Sequence, residues 1–558
     1  MSDILAQAAL EAAVPIKGKK KAPLMGPIRT NLEAFGVAIL AAVLLKWFCI
    51  EAYQIPTSSM QPTLMGDTAA GVYDRILVDK LLPTFREPKR WDITVFGYPL
   101  QKNQNYVKRL VGMPSDRLRI AGGNIYQVVD GEGGKRTFKI ERKPDDLQEQ
   151  MWKNVFPARM QRRADTKMLP DIWHSSPASA ASESNGVLTL TLGSGPTRLF
   201  FRDTADGGMI DRVWDGYPDA VARAIHEKNP SDQPQELVPD VRLTATVTAE
   251  QALDEIALEI EVARPPLDKW TYALVVKGGK GKLQVRAKDT QVLGESPEFP
   301  CEIASGSATE IAFAHVDDQL IAWRQGTELM RFETADWATR DGCVLPFDHV
   351  RRKLSLDSGH RVTPQIVSRG KGKLTLTDVR IDRDQHYTQL GAPDVIEVPQ
   401  GHYYMLGDNT LQSIDSRGWT AITVGVDAQD RLVPPNTPGS RNVRGNKRAM
   451  PLQRPPDRDE TPIPIPSENA VVMIDEYGEI LRLQGTVAAD WGERVAFLSD
   501  GTSDARGEWV APDSTNTPGI SFVPRSDIRG RAVMVFYPCR PLSWLLFNNW
   551  PGRFGFVR

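Results

Sequence analysis

The sequence predicts a mainly β protein behind one N-terminal transmembrane helix, with a β-sandwich or jelly roll in its middle. Three observations predict it. An apolar run from Ala34 to Ile50, broken only by Lys46, follows a polar stretch that carries Lys17, Lys19, Lys20, Lys21 and Arg29. Many later segments alternate apolar and polar residues at strand length, and glycines and prolines separate them.

The apolar run is short for a span, but about 20 residues cross the hydrocarbon and Lys46 can snorkel to the far interface. The preceding cations place the N-terminus in the cytoplasm and the rest outside it. No small-x-small pair follows the run, and Ile50-Glu51-Ala52 is a poor cleavage site, so a retained anchor is expected rather than a cleaved signal peptide. Directly after it comes Tyr53-Gln54-Ile55-Pro56-Thr57-Ser58-Ser59-Met60-Gln61-Pro62. Pro56 and Pro62 keep this stretch out of a helix and present its hydroxyls in an extended or turned backbone.

Arg75–Lys80 and Trp91–Phe96 read as strands. In Asn105–Pro114, period two puts Tyr106, Lys108 and Leu110 on one face and Val107, Arg109 and Val111 on the other, so one of the two cations is expected to face inward. A buried lysine loses hydration and its pKa falls. From about Ala121 to Gln400 the chain alternates repeatedly, in Val187–Leu192, Val241–Val247, Leu258–Val262, Leu283–Ala287 and Leu374–Val379, which predicts the sandwich. The Ser/Ala-rich residues from Trp173 to Asn185 read as its entry linker. Gly401–Trp419 reads as an apolar strand running into a polar loop, where a buried Asp415–Arg417 pair would brace the backbone. Leu432–Pro466 is proline-rich and reads as an extended linker. The ending returns to a β pattern in Phe522–Pro538. An apolar, aromatic tail with Trp544, Leu545, Leu546, Phe547, Trp550 and Phe554 then lies at an interface or covers the core.

Composition excludes several classes. At 558 residues more than one domain is expected. The formal net charge of −2, from 68 basic and 70 acidic residues, lacks the basic excess of a nucleic-acid binder. Cys49, Cys301, Cys343 and Cys539 have no CxxC spacing, and the seven histidines have no HExxH spacing, so neither a metal site nor a cofactor is expected. Cys301 and Cys343 could pair in an oxidising compartment.

Pro-Thr-Ser-Ser-Met after a membrane helix, Tyr-Val-Lys-Arg-Leu-Val-Gly-Met-Pro on a strand, and Gly-Asp-Asn followed by Ser413, Asp415 and Arg417 come in this order. In that order they resemble the type I signal peptidases of bacteria, over about residues 31–120, 386–420 and 520–538. The resemblance implies a membrane-tethered serine protease with a Ser/Lys dyad that removes signal peptides from exported preproteins at small-x-small sites. It implies Ser59 as nucleophile, Lys108 as general base, the Ser59 N–H and the Thr57 hydroxyl as oxyanion hole, Ser413 as the hydroxyl that orients the lysine, and Asp415 with Arg417 as the pair bracing the site. Tyr106 and Arg109 match flanking positions and are expected to be structural. Ser58 stands where many members have glycine; Met60 argues for Ser59, since the family nucleophile directly precedes methionine.

The expected organisation is a cytoplasmic basic segment (1–30), the transmembrane helix (31–52), a first catalytic part (53–165), the inserted sandwich (166–380), a second catalytic part (381–428), the proline-rich linker (429–469), and a small β segment with the C-terminal core strands and tail (470–558). The expected partners are preproteins and membrane lipid, with the inner membrane as location and the catalytic part on its outer, periplasmic side. A carbohydrate or a protein as ligand of the sandwich is left open. Two other readings carry weight: an inactive membrane-anchored binding protein that works through the sandwich, and a Ser/Lys protease that cuts itself or one partner.

Overall fold

The computed structural model describes residues 26–130, 136–157, 168–202, 209–217, 221–222, 225, 236–264, 268–287, 291–334, 360–389, 392, 395–446, 463–487, 493–495, 521–539 and 555–557. Most of the basic N-terminus, Cys343 and most of the aromatic tail lie outside these residues. Residues 1–51 and 52–558 form two units. In the first, α1 (Gly26–Leu44) runs into one π-helical turn at Leu45–Cys49. Asn31–Cys49 has a mean hydropathy of 1.9 and buries none of its residues, so this helix is long and apolar enough to cross a membrane.

The second unit is mainly β. Its first sheet contains β1 (Val72–Asp79), β2 (Ile93–Tyr98), β3 (Gln101–Gly112), β4 (His402–Leu406), β5 (Phe522–Pro524) and β6 (Ile528–Cys539), ordered β1-β6-β2-β3-β4-β5. All these neighbours pair antiparallel. Strands from both ends of the chain therefore close one sheet. In β1 the side chains of Val72, Asp74, Ile76 and Val78 alternate inward, as period two requires. Lys108 on β3 lies opposite Thr94, and Arg109 opposite Ile93 on one side and Leu406 on the other.

Lys108 and Arg109 are both buried, against the expectation that only one of the two would be. The reason is that apolar clusters cover both faces of the strand: Leu110 packs with Phe96 and Trp419, while Val107 packs with Met60, Ile93 and Val95.

The central sandwich consists of two eight-stranded sheets. One includes Thr197–Phe201, Arg361–Arg369, Glu255–Arg264, Asp268–Lys277 and Lys280–Ala287; the other includes Val187–Leu192, Gly372–Arg383, Val241–Ala249, Thr309–Val316, Gln319–Arg324 and Thr327–Glu333. Their inner faces share one apolar core, in which Trp173 meets Phe156 and Phe201 edge-on at 5.7 and 5.5 Å. The stretch read as an entry linker contributes edge strands instead, Trp173–Ser176 and Ala181–Ser184. Its Ser/Ala composition suits an edge, where only one side of the strand needs partners. The described part of the proline-rich stretch is also ordered. Leu432–Val433 and Arg441–Asn446 pair with Thr420–Val426, and Pro434 and Pro438 fall in the turn between them.

Residues 141–154 bind the second sandwich sheet to the rest of the unit. The helix α2 (Asp145–Met151) and its flanks reach that sheet by Arg242–Glu149 at 2.6 Å, Arg331–Asp145 at 3.0 Å and Arg142–Asp317 O at 3.0 Å. Trp152 packs against the cluster of Ala314, Val316 and Ile321. Deeper in, the Lys143 ammonium sits between Asp317 at 2.9 Å and Asp384 at 2.8 Å, while His315 meets Asp240 at 2.9 Å. Burial alone would lower the Lys143 pKa, but the two carboxylates outweigh it and raise it. Lys143→Met would leave two buried carboxylates facing each other; the expected loss is about 3–5 kcal/mol of stability in a denaturant titration.

Candidate active site

The serine loop is held from below. Ile55 N donates to Asp74 O at 2.9 Å, and the fully buried Asp74 carboxylate on β1 accepts from Met65 N at 2.7 Å. Gly66 closes the loop against Ile55 and Thr57: a Cβ there would lie 2.5 Å from Ile55 O and 2.6 Å from Thr57 O, so only glycine fits. Within the loop, Thr57 is extended and exposed, and Ser58–Met60 forms a single 3₁₀ turn. Met60 and Leu64 sink into the cluster with Ile76, Val78 and Ile93. Burying Met60 beside the serines fixes the turn and leaves Ser59 partly accessible.

Lys108 Nζ donates to Ser59 Oγ at 2.5 Å. The ammonium is almost wholly buried, with the Tyr106 ring 5.6 Å away. Its pKa falls to about 8, first because burial strips its hydration; Asp415 pulls the value up and Arg417 pushes it down. The last two are themselves an ion pair. Arg417 Nε and Nη2 grip Asp415 at 2.8 and 2.6 Å, both side chains are fully buried, and Arg417 Nη1 also donates to Thr388 O at 2.8 Å. Asp415 in turn accepts from Gly407 N at 2.9 Å. Burial alone would raise the Asp415 pKa, but Arg417 outweighs it and holds the carboxyl below its usual range. Lys108 therefore sees a neutralised pair, and desolvation is left to set its proton affinity.

Ser413 is buried and its Oγ makes no hydrogen bond among the described residues, so the structure does not join it to Lys108 by one. It packs at Gly407, where a Cβ would lie 2.1 Å from Ser413 Oγ and 2.4 Å from Ser59 O. Gly407 thus lets the Gly-Asp-Asn loop approach the serine turn. Asn409 makes the contact directly: its backbone N donates to Ser59 O at 3.1 Å and its Nδ2 to Ser58 O at 3.0 Å.

Asp408, Thr63, Lys153 and Gln385 were not singled out from the sequence, and Arg109 was expected only to be structural. Arg109 forms a two-bond fork with Asp408, Nε–Oδ1 at 2.8 Å and Nη2–Oδ2 at 2.7 Å, wholly out of water. Thr63 Oγ1 donates to the same carboxylate at 2.5 Å. Burial alone would raise the Asp408 pKa; Arg109 and then Thr63 outweigh it and lower it. Lys153 Nζ and Gln385 Nε2 both donate to Asp408 O, at 3.0 and 2.8 Å. Burial, with Arg383 nearby, takes the Lys153 pKa to about 7. The Asp in Gly-Asp-Asn and the Arg after Lys108 carried a signal for the first pair, since two isolated charges in apolar surroundings need partners. Nothing local marks Lys153 or Gln385.

Comparison with known proteins bears on what these elements are. The family model "Signal peptidase, peptidase S26" matches residues 28–169 and 349–430. Signal peptidase I of Pseudomonas aeruginosa is 38% identical over 94 residues, 16% of this chain and 33% of that protein. Signal peptidase I of Leptolyngbya laminosa is 33% identical over 141 residues, 24% of this chain and 64% of that protein. The chain thus spans from a third to just under two thirds of these two relatives. Among solved structures, a laminarinase from Rhodothermus marinus gives a TM-score of 0.25 at 11% identity, over 39% of this chain and 92% of that one. The carbohydrate-binding module CBM66 from Bacillus subtilis gives 0.22 at 7%, over 38% and 94%. Over its two matched segments the chain is similar to the bacterial type I signal peptidases, and most of the central β sandwich falls outside the match.

Proposed function

We propose that this chain is a membrane-bound serine endopeptidase that removes N-terminal signal peptides from exported preproteins at small-x-small sites, with Ser59 as nucleophile and Lys108 as general base. The observation that carries the reading is the 2.5 Å contact between Lys108 Nζ and Ser59 Oγ, with the amine buried and its pKa near 8. A hydroxyl is a weak nucleophile until a base takes its proton, and a neutral amine serves when its pKa approaches the working pH.

In this reading the neutral Lys108 amine takes the Ser59 proton as Oγ attacks the scissile carbonyl carbon. The Ser59 N–H and the Thr57 hydroxyl receive the negative oxygen, each such donor being worth about 2.7–4 kcal/mol. The Lys108 ammonium then gives its proton to the departing amine of the mature protein, leaving the signal peptide as an ester on Ser59. Lys108, neutral again, deprotonates the water that hydrolyses the ester. Ser413 Oγ, buried and otherwise unbonded, is assigned to accept from the ammonium while it is charged. Asp415 and Arg417 hold the Gly-Asp-Asn loop and keep the lysine's surroundings neutral. The exposed apolar helix α1 would anchor the chain in the inner membrane, with Ser59 at its outer surface, the side indicated by the basic N-terminal residues.

The test is cleavage, in detergent, of a preprotein with Ala-x-Ala before the cut. Ser59→Ala and Lys108→Ala are each expected to abolish it and Ser58→Ala to spare it; survival of either of the first two overturns the dyad. The pH profile follows from the lysine. Because the free enzyme needs the neutral amine, kcat/KM should rise with pH through a midpoint near about 8, and a profile flat across about pH 6 to 10 would contradict the assignment. Stability runs on the same proton. A folded pKa below the unfolded value means that the charged amine disfavours the native state below about 8, and this penalty fades as pH rises to about 10.4. Lys108→Met is therefore expected to be inactive yet more stable than the parent at neutral pH, by up to about 3 kcal/mol in a denaturant titration.

A further inference from the structure

The insertion reaches the serine loop. Between the sandwich strands Thr197–Phe201 and Val241–Ala249 lie the described residues 209–217, 221–222 and 225, outside the two stretches matched by the family model. Arg383 Nε grips Asp215 at 2.6 Å, Arg383 Nη2 donates to Arg212 O at 3.1 Å, and Gly216 N donates to Asn154 O at 3.0 Å, so the segment is pinned to the sandwich edge. From there Trp214 and Tyr217, edge-on at 5.7 Å, pack with Met65 and Val72 beneath the serine loop and with Leu411 of the Gly-Asp-Asn loop.

Tyr217 carries the contact to the loop. Its hydroxyl donates to Gln61 Oε1 at 2.6 Å and accepts from Asn409 Nδ2 at 3.4 Å. Gln61 is 1% exposed, and its Nε2 donates to Gly66 O at 2.9 Å. Both ends of that amide are thus committed, one to the insertion and one to the loop's own closure. Gln61 N also donates to Ser58 O at 3.1 Å, and Asn409 holds Ser58 O and Ser59 O. Without the tyrosine hydroxyl, Gln61 Oε1 loses this donor in a site closed to water, and the amide must turn to find another. Turning it releases Gly66 O, and with it the loop that sets Ser59 Oγ against Lys108.

We propose that Tyr217 is a positioning residue for Ser59, through which the insertion completes the nucleophile loop. This rests on Ser59 being the nucleophile. A misplacement of about 1 Å at reacting atoms can cost up to about a hundredfold in rate. In the full chain in detergent, with the same preprotein, Tyr217→Phe should lower kcat by about tenfold to a hundredfold with KM and the pH midpoint unchanged. The phenyl ring stays in the apolar cluster, so any loss of melting temperature should be small. Ile225→Val, a volume loss in the same cluster without contact to Gln61, reports what stability alone does; it should lower the melting temperature and keep kcat. Ser59→Ala separates the two readings. If it is inactive and Tyr217→Phe turns over like the parent, or if the Ile225→Val kcat falls as far as that of Tyr217→Phe, the positioning role is overturned while the nucleophile stands. If Ser59→Ala still cleaves, the underlying assignment itself has failed.

Discussion

An ammonium held out of water against a serine hydroxyl is the constraint on which the rest of this structure depends. A lone lysine in such a place would be too costly to keep charged and, beside a bare carboxylate, too costly to discharge. Asp415 and Arg417 resolve this by neutralising each other close to Lys108, so the carboxylate's pull and the guanidinium's push largely cancel. Burial is then the largest influence and brings the amine's pKa down to about 8. The same logic, applied to Arg109 and Asp408 on the neighbouring residue, gives the opposite product: a permanently charged fork that ties β3 to the Gly-Asp-Asn loop. Consecutive cations on one strand thus serve two purposes, one titratable and one not, because one has a committed partner and the other does not.

The insertions read differently in this light. A large β module between Lys108 and the Gly-Asp-Asn loop is tolerated when its two ends leave the core close together. Here it is also wired in. One sandwich sheet is bound to α2 and its flanks by Lys143, Arg142 and Arg242, so that sheet serves docking within the chain. Lys153 and Gln385, at the borders of the sandwich, both reach the backbone of Asp408. The module therefore supports the same loop that the ion pairs support.

Much of this was legible from the chain alone, and the limits have physical causes. Period two placed Tyr106, Lys108 and Leu110 on one face, but it implied that only one of Lys108 and Arg109 would face the interior. That inference assumes one wet face, and β3 has apolar clusters on both. Serine, alanine and proline content suggested linkers where the structure has edge strands and a small sheet, because composition reports solvation and turn preference while edge pairing depends on which strand lies alongside. Ser413 was expected to orient the lysine; its hydroxyl lies beside Gly407 and makes no hydrogen bond among the described residues.

By itself the sequence determined the apolar helix, the mainly β class, the middle sandwich and the ordered motifs around Ser59, Lys108 and Gly407, since each is a local pattern of period, turn chemistry or close backbone approach. The tertiary structure alone decided the partners: Arg109 with Asp408, Lys143 between Asp317 and Asp384, Tyr217 with Gln61. Those pairs lie far apart in the chain, and the burial that makes each one obligatory exists only after the sheets have closed over them.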